Sequence, residues 1–193
     1  MGIYVPTYGK GTATATIGDS DYDLEYDINH IGFGFVMDTR VARAGVFNYK
    51  LNLGYESVDY GFTNDEKFGR ISLDNTFGFG VLQTRVVRLW IGPQVRLAYM
   101  RYNYEYDSGS TEINIFGLGL APVFGANFNF GDVVSICPEL GYRFEFYGGQ
   151  ISSEYDFYYD TETNDDSYIR FNKEFFIKLS IIFRINDVFD EFY

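Results

Sequence analysis

Charged side chains recur at even spacing inside apolar segments of this chain. Lys50, Glu56, Asp74, Arg96, Glu139, Arg143, Glu145, Glu174, Lys178 and Arg184 each share a two-residue register with glycine or small polar residues, while the intervening positions are mostly aromatic or aliphatic. The cations and carboxylates in that set are equal in number. Groups of both signs on one face can neutralise one another, which a dry interior requires, because an unpaired buried charge costs several kcal/mol (roughly) or changes protonation. The chemistry expected of these ten residues is a network of ion pairs, with no turnover.

Other polar residues point in different directions. Asp19, Asp21 and Asp23 resemble the opening of a calcium loop, but Leu24 stands where that loop needs glycine and His30 where it needs glutamate. Loose attraction of divalent cations by an acidic surface is the expectation there; a specific metal site stays undetermined. Tyr155, Asp156, Tyr158 and Tyr159 form an aromatic acidic stretch of the kind that binds other molecules at exposed surfaces, or pairs across a protruding hairpin. His30 is the single histidine, and no motif sets a nucleophile beside it, so the chain does not read as an enzyme. Cys137 is the single cysteine and reads as a small buried residue. No cofactor is implied.

These residues are carried by segments that alternate strictly. In 171–185, Phe171, Lys173, Phe175, Ile177, Leu179, Ile181, Phe183 and Ile185 fall on one face, and Asn172, Glu174, Phe176, Lys178, Ser180, Ile182 and Arg184 on the other. Similar alternation marks strands over about 3–17, 28–37, 46–60, 71–81, 89–99, 116–124 and 134–146. Eight strands joined alternately by long and short connections, with no helical segment, make an all-β, up-and-down antiparallel barrel. It is expected to fill 1–185 as one domain, with 186–193 as a short tail.

Composition limits the partners. The chain has 193 residues, 20 Phe and 18 Tyr, and a formal net charge of -12, which excludes nucleic acid as a natural partner. The first six residues lack a basic region followed by an apolar run, so the expectation is either that no signal peptide existed or that one has been removed. No apolar run reaches the roughly 18–20 residues of a membrane helix, which leaves strands to carry any membrane role.

Alternation does not say which face is inside. A soluble lipocalin-like barrel hides its apolar face around a ligand; a membrane barrel shows it to lipid. Glycine decides between them. Gly32, Gly34, Gly54, Gly78, Gly80, Gly92, Gly117, Gly119 and Gly141 share the face that carries the charges. Glycine on a solvated exterior only weakens a strand, whereas in a narrow lumen it makes room for longer neighbours. The charged face is therefore expected inside, and the face with Phe33, Phe35, Leu51, Leu53, Phe77, Leu97, Leu118, Leu140, Leu179 and Ile181 against lipid. Most of the 27 acidic residues fall in the long connections 18–27, 57–69, 103–112 and 148–168, while the first two short ones hold Arg40, Arg43, Arg85 and Arg88.

The Gly-x-Gly pairs Gly32/Gly34, Gly78/Gly80 and Gly117/Gly119, with the aromatic last strand, resemble the small eight-stranded outer-membrane barrels of Gram-negative-type bacteria, the group that includes the barrel domain of the outer-membrane protein A class. The resemblance covers all eight strands. It implies an integral protein of the bacterial outer membrane, with the lipid bilayer as its partner and a closing aromatic near the end of the chain. Tyr193 is aromatic, but 186–191 interrupts the alternation. The functional expectation is a surface, structural or binding protein with a largely filled polar lumen, acting through acidic aromatic extracellular loops. The alternatives are a narrow channel for ions or small solutes, and the soluble ligand-binding barrel.

Overall fold

The computed structural model describes residues 1–193 except 18, 19, 40–45, 60–66, 107, 108, 132, 158, 159 and 185–193. For 5, 6, 15–17, 20–26, 104–106, 109, 155–157, 160–166 and 168 only the backbone is described. Eight strands follow in order: β1 (Gly2–Ile17), β2 (Ser20–Asp38), β3 (Phe47–Asp59), β4 (Lys67–Gln83), β5 (Val87–Tyr106), β6 (Gly109–Phe130), β7 (Val134–Phe157) and β8 (Asp160–Phe183). Each pairs antiparallel with its neighbour in sequence, and β1 pairs with β8, from Gly2 opposite Ile182 to Ile17 opposite Tyr168. The closed ring leaves no edge strand, which is the condition for a sheet to stand in hydrocarbon.

Side-chain direction follows the alternation and answers the inside-outside question. Phe35 is 70% exposed and Leu118 53%, whereas Glu56 is fully buried and Arg96 1% exposed. A soluble ligand-binding barrel needs the reverse, so that alternative is excluded by the placement of its own would-be core. The apolar exterior also has a definite height. On β8 the outward run Phe183, Ile181, Leu179, Ile177 and Phe175 is broken at Lys173, with Phe171 and Ile169 beyond it; on β5 the outward series ends at Tyr99 and then Arg101; on β3 it ends at Tyr55 and then Ser57. Five or six outward positions correspond to about 9–11 residues, the length a tilted strand needs to cross a bilayer. Cross-strand aromatic pairs reinforce this wall: the ring centroids of Phe47 and Phe79 are 5.6 Å apart and those of Phe146 and Phe171 4.5 Å apart.

Glycine faces the large interior rings. A Cβ added at Gly125 would collide with the Trp90 indole, at Gly117 with the Tyr147 ring, and at Gly141 with the Phe176 ring at 2.6 Å. Gly131, in the tight connection after β6, has φ of 56°, a left-handed conformation that glycine adopts without a Cβ penalty.

Four expectations need correction. The long connections are largely strand: β2 starts at Ser20, the β5–β6 hairpin pairs up to Tyr106 opposite Gly109, and β7–β8 pairs up to Phe157 opposite Asp160. These segments alternate tyrosine or leucine with acidic residues, as Tyr22, Leu24 and Tyr26 do with Asp21, Asp23 and Glu25, but their density of charge gives them the composition of loops. Next, the sixth strand, expected over 116–124, runs on to Phe130. The single alternation expected over 3–17 is broken by a register shift between Tyr4 and Thr7, after which Gly9, Gly11 and Ala13 look inward and Tyr8, Lys10 and Thr12 outward. Finally, the expected final strand 171–185 starts earlier, at Asp160, and ends at Phe183; the tail 186–193 lies outside the described residues.

Candidate functional site

The barrel interior holds eight of its charged residues in one connected cluster. β3 and β4 lie side by side with Glu56 directly opposite Arg70, and β4 and β5 place Asp74 opposite Arg96. β7 and β8 place Arg143 opposite Glu174, and Glu139 opposite Lys178. Parity alone therefore brings opposite charges to neighbouring inward positions, where cross-strand pairs stabilise the sheet.

Arg96 is the hub. Its Nε donates to Asp74 Oδ1 at 2.6 Å, and its two terminal nitrogens donate to the Glu56 carboxylate at 2.7 and 2.9 Å. The planar guanidinium thus uses its fork on two carboxylates at once. Asp74 is also reached by Lys178 Nζ at 2.8 Å from the far side of the lumen. Arg143 donates to Glu174 at 2.6 Å and to Gln94 at 3.0 Å. Glu145 lies 3.2 Å from Arg70, 3.5 Å from Arg96 and 3.8 Å from Arg143. Among the described residues, four cations (Arg70, Arg96, Arg143, Lys178) face four carboxylates (Glu56, Asp74, Glu145, Glu174). Lys50 and Glu139 make a separate buried ion pair nearer the short-turn end.

Aromatic rings pack above and below the charges. The Arg143 guanidinium lies 4.2 Å from the centre of the Phe176 ring, and Lys178 Nζ 4.8 Å from that of Tyr4. On the short-turn side the Trp90 indole N–H donates to Asn127 Oδ1 at 3.1 Å. On the side of the long hairpins Ile28, Val58, Met100, Ile115 and Tyr147 form a buried apolar cluster, with the Arg170 guanidinium 4.3 Å from the centre of the Tyr147 ring.

Arg70 and His30, outside the ten expected residues, also belong to this site. Arg70 donates to Glu56 at 2.6 Å and to the Tyr147 hydroxyl at 2.7 Å. It continues the inward register of Ser72 and Asp74; only a strand start set too late concealed it. His30 has Nδ1 3.2 Å from Glu174 Oε2, with both side chains enclosed. Conversely, Arg184 does not join the network. It lies beyond β8 and donates to the backbone carbonyls of Gly131 and, at 3.5 Å, Val134, because the wall ends at Phe183 and the side chain reaches the adjoining turn instead of the lumen.

Of the surface candidates, Asp19, Tyr158 and Tyr159 lie outside the described residues. Asp21 and Asp23 fall on extended β2, not on a coiled loop. Tyr155 and Asp156 fall on β7 opposite Glu162 and Thr161 of β8. Among the described residues no cluster of potential metal ligands occurs. Cys137 is buried beside Tyr4, Val36 and Ile182.

No protein-family model and no curated protein matches the chain. Solved structures do: the outer membrane protein OprG from Pseudomonas aeruginosa, at 11% identity over 93% of this chain and 95% of that one, with a TM-score of 0.43. Neisserial surface protein A is similar at 12% identity over 91% of this chain and 95% of that one, with a TM-score of 0.38. These are distant likenesses. The physical argument is the stronger one: a wall that turns its charges inward and its hydrocarbon outward is stable in lipid and not in water, and the chain is a membrane-spanning, eight-stranded up-and-down β-barrel.

Proposed function

We propose that the protein is an integral barrel of the bacterial outer membrane that works at the surface, with a lumen closed to solutes. The observation that supports this most is the bridging of the lumen by Arg96, Glu56, Asp74 and Lys178, which join β3, β4, β5 and β8 across the interior. The apolar layer on one side and Trp90 on the other leave the charged layer enclosed. With the interior occupied, the parts able to meet other molecules are the hairpins that continue past the apolar belt. Asp21, Asp23, Tyr155 and Asp156 belong to those segments, and together with Asp19, Tyr158 and Tyr159, adjacent in sequence, they suit divalent cations or a partner that accepts aromatic and acidic contacts. The barrel then acts as an anchor that presents them.

Conductance in a planar bilayer tests the closed lumen, with insertion confirmed independently by protease protection of the barrel. The expected result is no steady conductance above the bare membrane. Reproducible ion-selective steps would favour a narrow channel and overturn this reading.

A further inference from the structure

On the side of the long hairpins three strands set a cation at the margin of the apolar belt: Lys10 on β1 and Arg101 on β5 follow the last apolar outward positions, and Lys173 on β8 stands between Phe175 and Phe171. Arg101 is matched by Glu112, at 3.2 Å on the same exposed face. Lys10 and Lys173 are not matched in this way. Lys10 lies opposite Phe175, and Lys173 opposite Thr12, so the two lysines are diagonal neighbours on adjacent strands, both exposed and both outward. Neither has an ion-pair partner among the described residues; Asp27, the acidic residue next in the ladder, sits opposite Thr12 and beyond ion-pair distance. Two like charges so placed repel, and they do so where water gives way to lipid.

Their surroundings favour a lipid headgroup. Tyr8 and Phe175 flank Lys10 on the outward face, and Lys173 Nζ is 5.5 Å from the centre of the Phe171 ring. Aromatic side chains at this height settle at the headgroup level, and lysine stems extend along the wall to hold the ammonium there. A phosphate monoester carries about -1.5 to -2 charge at neutral pH and offers several strong acceptor oxygens, enough for both ammonium groups together. We propose that Lys10 and Lys173 form a site for one phosphate-monoester lipid headgroup in the leaflet on the side of the long hairpins. The site requires a membrane-embedded barrel but is independent of whether the lumen conducts.

Native mass spectrometry tests it, on protein extracted from vesicles of phosphatidylcholine containing equal minor amounts of phosphatidic acid and phosphatidylglycerol. Insertion is checked first by protease protection, so loss of the embedded reading is seen separately. The parent protein is expected to retain phosphatidic acid preferentially. K10Q/K173Q should reduce that enrichment about tenfold or more, K10R/K173R should keep it, and K10Q and K173Q alone should fall between. Inorganic phosphate in millimolar excess should not displace the lipid. An inserted parent without preference, a glutamine double variant with undiminished preference, or displacement by inorganic phosphate would each overturn the assignment. Should the double variant fail to insert, equal enrichment in both single variants and the parent would do the same.

Discussion

Arg96→Met is expected to destabilise the folded barrel by about 3–5 kcal/mol, the range for removing one partner of a buried ion pair. Methionine replaces much of the side-chain volume, so the loss reads charge and hydrogen bonding more than packing. The argument for a large effect is connectivity. Arg96 satisfies Glu56 at 2.7 Å and Asp74 at 2.6 Å, and both carboxylates stay enclosed when it is gone. The cluster would then hold one more negative than positive charge in a place water enters poorly. Arg70 and Lys178 remain beside those carboxylates and keep the loss below that of two bare charges. Urea titration of protein folded in lipid vesicles reads the difference, with Arg96→Lys as the partner experiment. Lysine keeps the charge without the fork, so it should recover part of the stability. A methionine variant as stable as the parent would mean the charges are not locked together in the bilayer.

Leu179→Arg is expected to impair folding into bilayers by about 2–4 kcal/mol, the magnitude for a cation on the lipid face at mid-depth. Leu179 is the third of five outward apolar positions on β8, between Ile181 and Ile177, and lies opposite Pro138 of β7. An arginine there has the longest reach to either interface. The same substitution at Ile169, above the Lys173 rim, should cost about 0–1 kcal/mol, because that position lies near water. Equal effects at the two positions, measured by urea titration in vesicles, would contradict the height assigned to the belt.

What was legible in the sequence, and what was not, divides by physical cause. The architecture was legible because a bilayer enforces alternation: Phe175, Ile177 and Leu179 against Glu174, Phe176 and Lys178 leaves one reading of the faces once glycine is placed inside. Most of the charged cluster followed from the same parity. Arg70 was missed because parity was applied only within a strand begun at Ile71, although the inward register continues through Arg70 and strand β4 begins at Lys67. Arg184 has the right parity but lies past the last paired residue, and parity says nothing of where a strand stops. The strand extensions were read as loops because their acidic composition outweighed the alternation that Tyr22, Leu24 and Tyr26 make with Asp21, Asp23 and Glu25. The meeting of His30 with Glu174 joins β2 to β8 across a wall and β1 between them, and spacing along the chain carries no trace of such a contact.

Trp90 allows the most direct test of the central claim, that the glycine-bearing charged face is the inside. It is the single tryptophan in the chain, is fully buried, and bonds to Asn127 within the lumen. Its fluorescence in vesicles of lipids brominated along the acyl chain can be compared with that in the unbrominated lipid, beside a W90F/L179W variant that moves the indole to the outward face. The expected result is little quenching of Trp90 and strong quenching of the tryptophan at position 179. Strong quenching of Trp90, with the indole at 179 protected, would mean that the wall is turned the other way.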